Sequence, residues 1–501
     1  MCPVHARARG RRTRLRASGV AACLALAVAA VPAAAPAAPA PQPALSADAA
    51  LDAIGVNTKF TDTTPENCRL VPELVEALRD LRVRHVRDAL STWDKGATTC
   101  TWTDARGTPR TARAIDILAG LAPRVRSLML VGAMNRTTWL QGMTVDQVLA
   151  RVSRPGPEND VLDAVELLAQ RGGLEGMEGA NEYDLAGLRT FRVGYEDFYP
   201  WRTALRAHQA GLNALVKDPS RPLLADVPLL GPALGRFASY DAYAANGYDP
   251  GAHHDLGNLH YYNGWRMPED AEAGPYNDVE DAMAAAENVA KGDPVVVTEA
   301  GYHTAPYARD AFGDLSGIPE DVAATYMPRL LLEFERLGAL RTYLFELRDH
   351  RNFGPGDQES YFGLLRWDGS RRPAFGALAR LTSILDDPGP AFTPAPLSYE
   401  VTGAPSDVRT RLFARRDGTY VLALWRAAPV WDGHLARRLA VAASRVGVVL
   451  GDPAAYDATV ANLSEGGATG GLRWRAARRA AGPITMDLTG DVQLLRLSPR
   501  R

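Results

Sequence analysis

The sequence lacks the short signatures of several large enzyme classes. It has no G-x-S-x-G elbow of serine hydrolases, no H-E-x-x-H helix of zinc proteases and no C-x-x-C pair. Neither a G-x-G-x-x-G turn nor a Walker-type loop follows the first predicted strand, which argues against an open doubly wound sheet. His253 and His254 are adjacent, so in a strand their side chains would point to opposite faces and make poor joint ligands. We therefore expect no cofactor and no metal.

An excess of charge of one sign is also missing. The chain carries 56 basic and 58 acidic residues, which gives a formal net charge of −2 and an isoelectric point of about 6.5. Nothing in this balance indicates a nucleic acid or a membrane surface as a partner. The sequence carries no feature that indicates an oligomeric state.

Long apolar runs are confined to the N-terminus, where GVAACLALAVAAVPAAA (19–35) follows six arginines. This order is typical of a signal peptide, which we predict at residues 1–38. The run is too short and too rich in alanine for a membrane span. Residues 39–50 are rich in proline and alanine and are predicted to be a disordered leader. We expect a secreted protein, with Sec and twin-arginine export both open.

Cysteine is scarce, with four in the chain. Removal of the signal peptide takes away Cys2 and Cys23 and leaves Cys68 and Cys100. An even pair in an exported chain favours a disulfide, which would join the segments after the first two strands. Two free buried thiols are the alternative.

From residue 51 the chain alternates short apolar runs with longer helical patterns. Eight such units fit a (β/α)₈ TIM barrel over residues 51–387, and an open doubly wound sheet is the competitor. The predicted helices include 71–81, 160–170, 326–338 and 373–385. The predicted strands lie in the segments 51–57, 83–89, 127–133, 174–182, 221–231, 256–263, 294–302 and 342–349.

The composition changes after the last predicted helix. A Pro-rich linker is followed by strand-like runs on either side of Asp417-Gly418, a strong hairpin signal, and no long helix follows. Residues 392–501 are predicted to form a small antiparallel β-sandwich. Such a domain could brace the barrel or bind glycan.

Two glutamates lie at the ends of the fourth and seventh predicted strands. Glu182 and Glu299 are 117 residues apart, or three βα units, which places them across the mouth of an eight-strand barrel. Paired carboxylates in different environments can act as general acid and nucleophile. In retaining glycoside hydrolysis such a pair is about 5–5.5 Å apart. Solvated rim residues are the alternative interpretation.

Four segments carry a resemblance to a known group of enzymes. GANEYD (179–184), LHYYNGW (259–265), VVVTEAGY (295–302) and YLFELRDH (343–350) resemble the strand-end motifs of clan A glycoside hydrolases. These are retaining (β/α)₈ enzymes, and families 5 and 39 are the most similar. The resemblance covers residues 51–385, and the C-terminal segment resembles their accessory β-domain.

The resemblance implies roles for the glutamate pair and its neighbour. Glu182 would be the acid/base and Glu299 the nucleophile in the hydrolysis of a polysaccharide or oligosaccharide. Asn181 would donate to a sugar 2-hydroxyl, a contact that strengthens in the transition state.

It also implies partners for the nucleophile. Tyr262 would donate to Glu299 and keep it ionised, His260 would line the same pocket, and Arg87 would lower the carboxylate pKa. Packing or structural ion pairs are the alternative interpretation for each of the three residues.

The sequence departs from the clan pattern at two places. Tyr183 replaces the proline that often follows the Asn-Glu pair, and Phe345-Glu346 replaces a tryptophan on the eighth strand. The second departure leaves the sugar specificity open, and it makes Glu346 and Asp349 candidate substrate contacts. Aromatic faces at the active rim could stack on sugar rings; the candidates are Trp93, Trp139 and Trp265.

A protein of another class on the same scaffold, a non-catalytic glycan-binding or cell-envelope protein, is the second hypothesis. Both glutamates and their expected partners are present, which argues against a degenerate site. The sequence therefore favours a secreted glycosidase.

Overall fold

A computed structural model describes residues 38–90, 99–131, 158–185, 201–245, 248–270, 278–310, 313–479 and 482–500. In the N-terminal part the elements are β1 (Pro41–Gln42), β2 (Leu45–Ser46), α1 (Ala47–Asp52), β3 (Ile54–Asn57), α2 (Pro65–Arg69), α3 (Val71–Asp80), β4 (His85–Leu90), β5 (Thr99–Thr103), β6 (Pro109–Arg113), α4 (Ala114–Leu121) and β7 (Arg126–Val131). The predicted signal peptide lies outside the described residues, apart from Ala38.

The middle of the chain continues the alternation of helix and strand. Its elements are α5 (Glu158–Gln170), β8 (Leu174–Glu178), α6 (Trp201–Val216), α7 (Pro222–Ala225), α8 (Phe237–Ala244), β9 (Gly257–Tyr261), α9 (Val279–Ala290), β10 (Val295–Ala300), α10 (Glu320–Arg336), β11 (Arg341–Leu344) and α11 (Pro373–Leu385). Every helix in the described ranges is too short or too polar to span a membrane.

Seven of these strands form one parallel sheet in the order β8-β7-β4-β3-β11-β10-β9. These strands are largely buried runs, as in β10, where all six residues are buried. Such runs are typical of a parallel sheet with both faces covered. Inside the curve of the sheet, Leu128, Leu230, Val296 and Tyr343 form a small apolar cluster.

The fifth predicted strand, 221–231, is wrong over most of its length. Residues 222–225 form α7, and only Leu229 and Leu230 make bridges, to Met177 and Leu256 respectively. Because Pro222 fits the first turn of a helix, the segment turns helical before it reaches the sheet. Residues 229–231 nevertheless link the edge strands β8 and β9 of the sheet. Leu230 N donates to Met177 O at 2.8 Å, and Gly231 N donates to Leu256 O, next to β9, at 2.7 Å.

The C-terminal part forms sheets that are antiparallel except where β2 pairs parallel with β13. Two of them enclose an apolar core of their own, in the orders β1-β12-β17-β21-β20 and β19-β18-β22-β14-β13-β2. The strands are β12 (Leu397–Thr402), β13 (Val408–Ala414), β14 (Tyr420–Arg426), β15 (Trp431–Asp432), β16 (Arg437–Arg438), β17 (Ser444–Leu450), β18 (Tyr456–Asn462), β19 (Arg475–Ala476), β20 (Arg478–Arg479), β21 (Ile484–Leu488) and β22 (Gln493–Pro499).

Strand β14 shows how the C-terminal sheets join the rest of the molecule. Tyr420, Leu422 and Leu424 face the core between the two sheets, while Val421 and Trp425 belong to the main core. Alternate residues of a strand point to opposite faces, so one strand serves both cores. Residues 39–501 form one compact unit.

Residues 39–50 are structured, which corrects the expected disordered leader. Strand β1 pairs with β12, and β2 pairs with β13. Ser46 then caps the N-terminus of α1, and its side chain accepts a hydrogen bond from Ala49 N at 3.4 Å. The register partners of these strands lie 355–368 residues away in sequence, so local composition carries no trace of the pairing.

Cys68 and Cys100 form a disulfide between α2 and β5. The preference for a disulfide over free thiols is thus confirmed. Both cysteines are buried, and the bond closes a loop with a sequence separation of 32. It ties the chain after β3 to the chain after β4, on the side where the parallel strands end.

We expect the double variant Cys68→Ser, Cys100→Ser to unfold more readily than the wild type. Loss of the crosslink frees the unfolded chain and should lower the free energy of unfolding by about 2–4 kcal/mol. Urea unfolding measures the difference, and reductant should affect only the wild type. Equal midpoints for both proteins under oxidising conditions would contradict this prediction.

Candidate active site

Polar side chains converge where the parallel strands end. Arg87 lies on β4, Asn181 and Glu182 follow β8, His260 lies on β9 and Glu299 on β10. Glu299 and His260 are register partners in the pairing of β10 with β9. Since the carboxyl ends of parallel strands meet at one edge, a single pocket collects residues from distant parts of the chain.

Arg87 is the centre of this pocket. Its guanidinium donates to Glu299 Oε1 at 2.7 Å, to Asn181 Oδ1 at 2.9 Å and to Asn57 Oδ1 at 2.8 Å, and it also donates to Glu178. The side chain is buried, so two carboxylates share one desolvated cation. The planar fork of arginine suits this role because it presents several donors in fixed directions.

Glu299 is held in its ionised form. Tyr262 donates to Oε2 at 2.7 Å, and His260 Nδ1 lies 3.5 Å from the same oxygen. Burial alone would raise the pKa of Glu299, but the charges of His260 and Arg87 and the hydrogen bond from Tyr262 lower it to about 2. A carboxylate in this state is a base or a nucleophile at neutral pH, not an acid.

Glu182 has a different environment. Its side chain is 23% exposed, against 10% for Glu299, and its backbone lies in the left-handed region with a φ of 52°. The backbone N–H donates to Ala233 O at 3.0 Å, which fixes this turn. A non-glycine residue in that region is strained, and such positions are frequent at functional sites.

His260 connects the two glutamates. Burial lowers the pKa of its imidazole, but the charge of Glu299 and the hydrogen bond with Glu182 raise the pKa above its ordinary value. Nδ1 lies 2.9 Å from Glu182 Oε1, and a protonated ring donates there. Its Nε2 is buried without a partner among the described residues.

The pocket contains three side chains of the types that bind metal ions. One ligand atom each of Glu182, His260 and Glu299 lies within 4.8 Å of the other two. Both oxygens of Glu299, however, already accept hydrogen bonds, one from the fixed cation of Arg87 and one from Tyr262. The donor set therefore suits a pair of working carboxylates better than it suits a second cation.

Sequence reasoning missed the layer beneath the pocket. Glu178 Oε2 accepts from Asn258 Nδ2 at 2.8 Å, and Thr298 Oγ1 donates to Asn258 Oδ1 at 2.6 Å. Asn57 Nδ2 donates to Thr298 O at 2.9 Å. Glu178 is the last residue of β8, and a charged residue in a predicted strand was the available signal, because a buried carboxylate needs a partner.

Trp265 does not lie where we expected an exposed stacking surface. The residue is 8% exposed, the Arg266 guanidinium lies 4.6 Å from its ring centroid, and the rings of Trp265 and His434 meet edge-on with centroids 4.9 Å apart. Gly433 approaches the ring so closely that a Cβ there would lie 2.3 Å from it. Residues of the C-terminal part cover this tryptophan, and the structure places it in packing. Trp93 and Trp139 lie outside the described residues.

The two acidic candidates after β11 have different surroundings. Asp349 forms a buried ion pair with Arg372 at 2.8 Å, which accounts for it as a structural residue. Glu346 is fully buried and accepts a hydrogen bond from His350 Nδ1 at 2.8 Å. Direct contact between Glu346 and a substrate remains a prediction.

The residues around the Asn-Glu pair shape the adjoining loop. Tyr183 is buried beside His208, with ring centroids 6.0 Å apart. Asp184 Oδ1 accepts from Gly235 N at 3.0 Å, which ties the end of β8 to the loop before α8. Tyrosine in the place of proline is therefore compatible with a fixed position for Glu182.

The fold is that of the clan A glycoside hydrolases, whose members are its structural neighbours. One is a family 39 glycoside hydrolase from Bacteroides cellulosilyticus WH2, with a TM-score of 0.60, 15% identity and coverage of 90% of this chain and 82% of that one. A glucosidase from Croceicoccus marinus has a TM-score of 0.54 and 12% identity, with 93% and 98% covered.

A third neighbour is a GH30 endoxylanase from Clostridium papyrosolvens C71, with a TM-score of 0.50, 9% identity and coverage of 92% and 98%. No protein-family model matches the chain, and no curated protein matches its sequence. Identities this low carry the fold and not the substrate. The resemblance read from the four strand-end motifs is confirmed at the level of the fold.

Proposed function

We propose that the protein is a retaining glycoside hydrolase on a (β/α)₈ barrel, with Glu182 as acid/base and Glu299 as nucleophile. The observation that carries this proposal is the asymmetry of the pair. An oxygen of each carboxylate lies within 4.8 Å of the other, a spacing that suits retention. Glu299 is held in its ionised form, whereas Glu182 is more exposed and lies beside His260.

The first step forms a covalent intermediate. Glu299 attacks the anomeric carbon while the protonated Glu182 gives its proton to the glycosidic oxygen, so the bond to the leaving group breaks as the glycosyl ester forms. In the second step Glu182 takes a proton from water, whose oxygen attacks the anomeric carbon. The ester bond breaks and Glu299 is released as a carboxylate.

Arg87 and Tyr262 prepare Glu299 for both steps. Their hydrogen bonds fix the two oxygens and hold the negative charge before attack and after release. Arg87 also donates to Asn181 Oδ1, which leaves the Asn181 amide hydrogens as donors to a sugar hydroxyl. Such fixed donors need no rearrangement during the reaction.

A polysaccharide or oligosaccharide is the proposed substrate, and the protein is proposed to act after export. The arginine-rich, apolar N-terminus and the Cys68–Cys100 disulfide support export. Release of sugar from a panel of polysaccharides and aryl glycosides, with and without chelator, tests the activity. Glycan binding without release would favour the non-catalytic alternative, and loss of release in chelator would favour a metal-dependent enzyme.

Replacement of Glu182 by glutamine is expected to slow cleavage by an amount that depends on the leaving group. This dependence distinguishes the acid from the nucleophile. An alkyl glycoside needs protonation as it departs and should be cleaved about 10²–10⁴-fold more slowly. A nitrophenyl leaving group departs without protonation, so formation of the intermediate should be retained and a burst of nitrophenol should precede slow turnover. Pre-steady-state kinetics on both substrates measure the rate of formation of the intermediate. An equal decrease of this rate for both substrates would contradict the assignment of Glu182 as the acid.

A further inference from the structure

Two exposed aromatic side chains lie on neighbouring loops at the end of the sheet that carries the pocket. Tyr307, in the loop after β10, is 70% exposed, and Phe353, in the loop after β11, is 76% exposed. Tyr307 N donates to Pro355 O at 3.1 Å, which joins the two loops. Large exposed aromatic rings in a soluble protein mark interaction sites when they cluster.

The Phe353 ring is held in place despite its exposure. The Arg351 guanidinium lies 5.0 Å from the ring centroid, and it forms two hydrogen bonds to Asp357 at 2.9 and 2.7 Å. Phe353 N also donates to Ser360 Oγ at 3.0 Å. One face of the ring therefore rests on an anchored cation, while most of its surface is free for a ligand.

The same loop is continuous with the pocket. Phe345 and Phe362 pack edge-on against Tyr262, which donates to Glu299. Glu359 adjoins Ser360; burial raises the pKa of its carboxyl, and the negative charges of Glu346 and Glu299 add to the shift. A ligand in the pocket that extends along this loop would meet carboxylate first and aromatic surface beyond it.

Polar groups accompany the aromatic ones. His350 donates to Glu346 through Nδ1, which leaves Nε2 for a ligand. Glu346 Oε2 is buried and has no donor among the described residues. The loop thus combines an excess of negative charge with apolar ring faces. Such a surface suits the hydroxyl groups and the C–H face of a neutral sugar and repels a carboxylated one.

We propose that the loops after β10 and β11 form a subsite for a neutral sugar unit that adjoins the unit bound at Glu182 and Glu299. The sugar ring stacks on Phe353 and Tyr307 and donates hydroxyl hydrogen bonds to Glu359. This subsite deepens the proposed function and rests on it, since it places the aromatic pair along the glycan chain.

Calorimetric binding of oligosaccharides to the Glu299→Gln protein tests the subsite. The probes are β-linked gluco- and xylo-oligosaccharides of two to six units, with oligogalacturonides as carboxylated probes. Phe353→Ala and Tyr307→Ala in this background should each weaken binding of a neutral probe by about tenfold. Leu340→Ala, an exposed apolar residue at the opposite end of β11, is the matched control and should bind like its parent.

Three results would overturn the subsite: unchanged affinity in both aromatic variants, tighter binding of oligogalacturonides, or binding of none of the probes. Turnover by the wild type on the same probes separates this proposal from the proposed function. If the probes bind, the aromatic variants bind them more weakly and the wild type does not cleave them, the hydrolase proposal is contradicted and the subsite stands. If the wild type cleaves the probes and the aromatic variants bind them as tightly as their parent does, the subsite is contradicted and the hydrolase proposal stands.

Discussion

Glu299→Gln is expected to remove hydrolysis, with a loss of roughly 10⁴-fold or more. Glutamine keeps the shape of the side chain but cannot form the glycosyl ester, so the first step has no nucleophile. The amide would also present a hydrogen where Arg87 or Tyr262 now donates to Glu299, and that would disturb the pocket. Initial rates on whichever glycoside the wild type cleaves measure the loss.

Two controls make the result specific. Glu400→Gln changes an exposed glutamate on β12, far along the chain from the pocket, and should retain full activity. Thermal unfolding of Glu299→Gln should remain cooperative, which would show that the loss is chemical. Turnover by Glu299→Gln at the wild-type rate would rule out Glu299 as the nucleophile.

Arg87→Met is expected to have the second largest effect, because it should lower both the stability and the activity of the protein. The substitution leaves Glu178 and Glu299 buried without their shared cation. Removal of one partner from a buried ionic group costs about 3–5 kcal/mol in free energy of unfolding. Arg445→Met breaks an exposed pair with Asp487 and is the matched control, expected to lower the free energy of unfolding far less because exposed ion pairs contribute little. Equal losses in the two variants would contradict the account.

The same variant has a defined effect on the pH dependence. The folded-state pKa of Glu299, about 2, lies below the ordinary value of 4.5, so its ionised form stabilises the wild type above pH 4.5. That contribution is lost as the pH falls from 4.5 towards 2. Without Arg87 the pKa of Glu299 rises, and the acid limb of kcat/KM should move upward by on the order of one unit. An unmoved acid limb would show that Arg87 does not act on this carboxylate.

The sequence predicted the parts of the pocket that depend on strand periodicity. Arg87, Glu182, His260 and Glu299 follow or end apolar runs, and parallel strands bring such positions together. Their hydrogen bonds to one another follow from that placement, because a buried charge requires a partner.

Features that depend on tertiary pairing could not be predicted in this way. The strands of residues 41–46 form only because β12 and β13 offer edges to them. Trp265 is covered by Gly433 and His434 from the C-terminal part, which no local pattern indicates. Glu178 was overlooked because its partner Arg87 lies 91 residues away. In each case the deciding contact is distant in sequence.

The stereochemistry of the released sugar tests the central claim most directly. Proton NMR of a hydrolysis mixture, recorded before the product mutarotates, shows the anomeric configuration of the first product. Two displacements at one carbon restore the original configuration, so the account predicts that the product has the configuration of the substrate. Release of the opposite anomer would mean that water attacks directly, and it would contradict both the role of Glu299 and the interpretation of the carboxylate spacing.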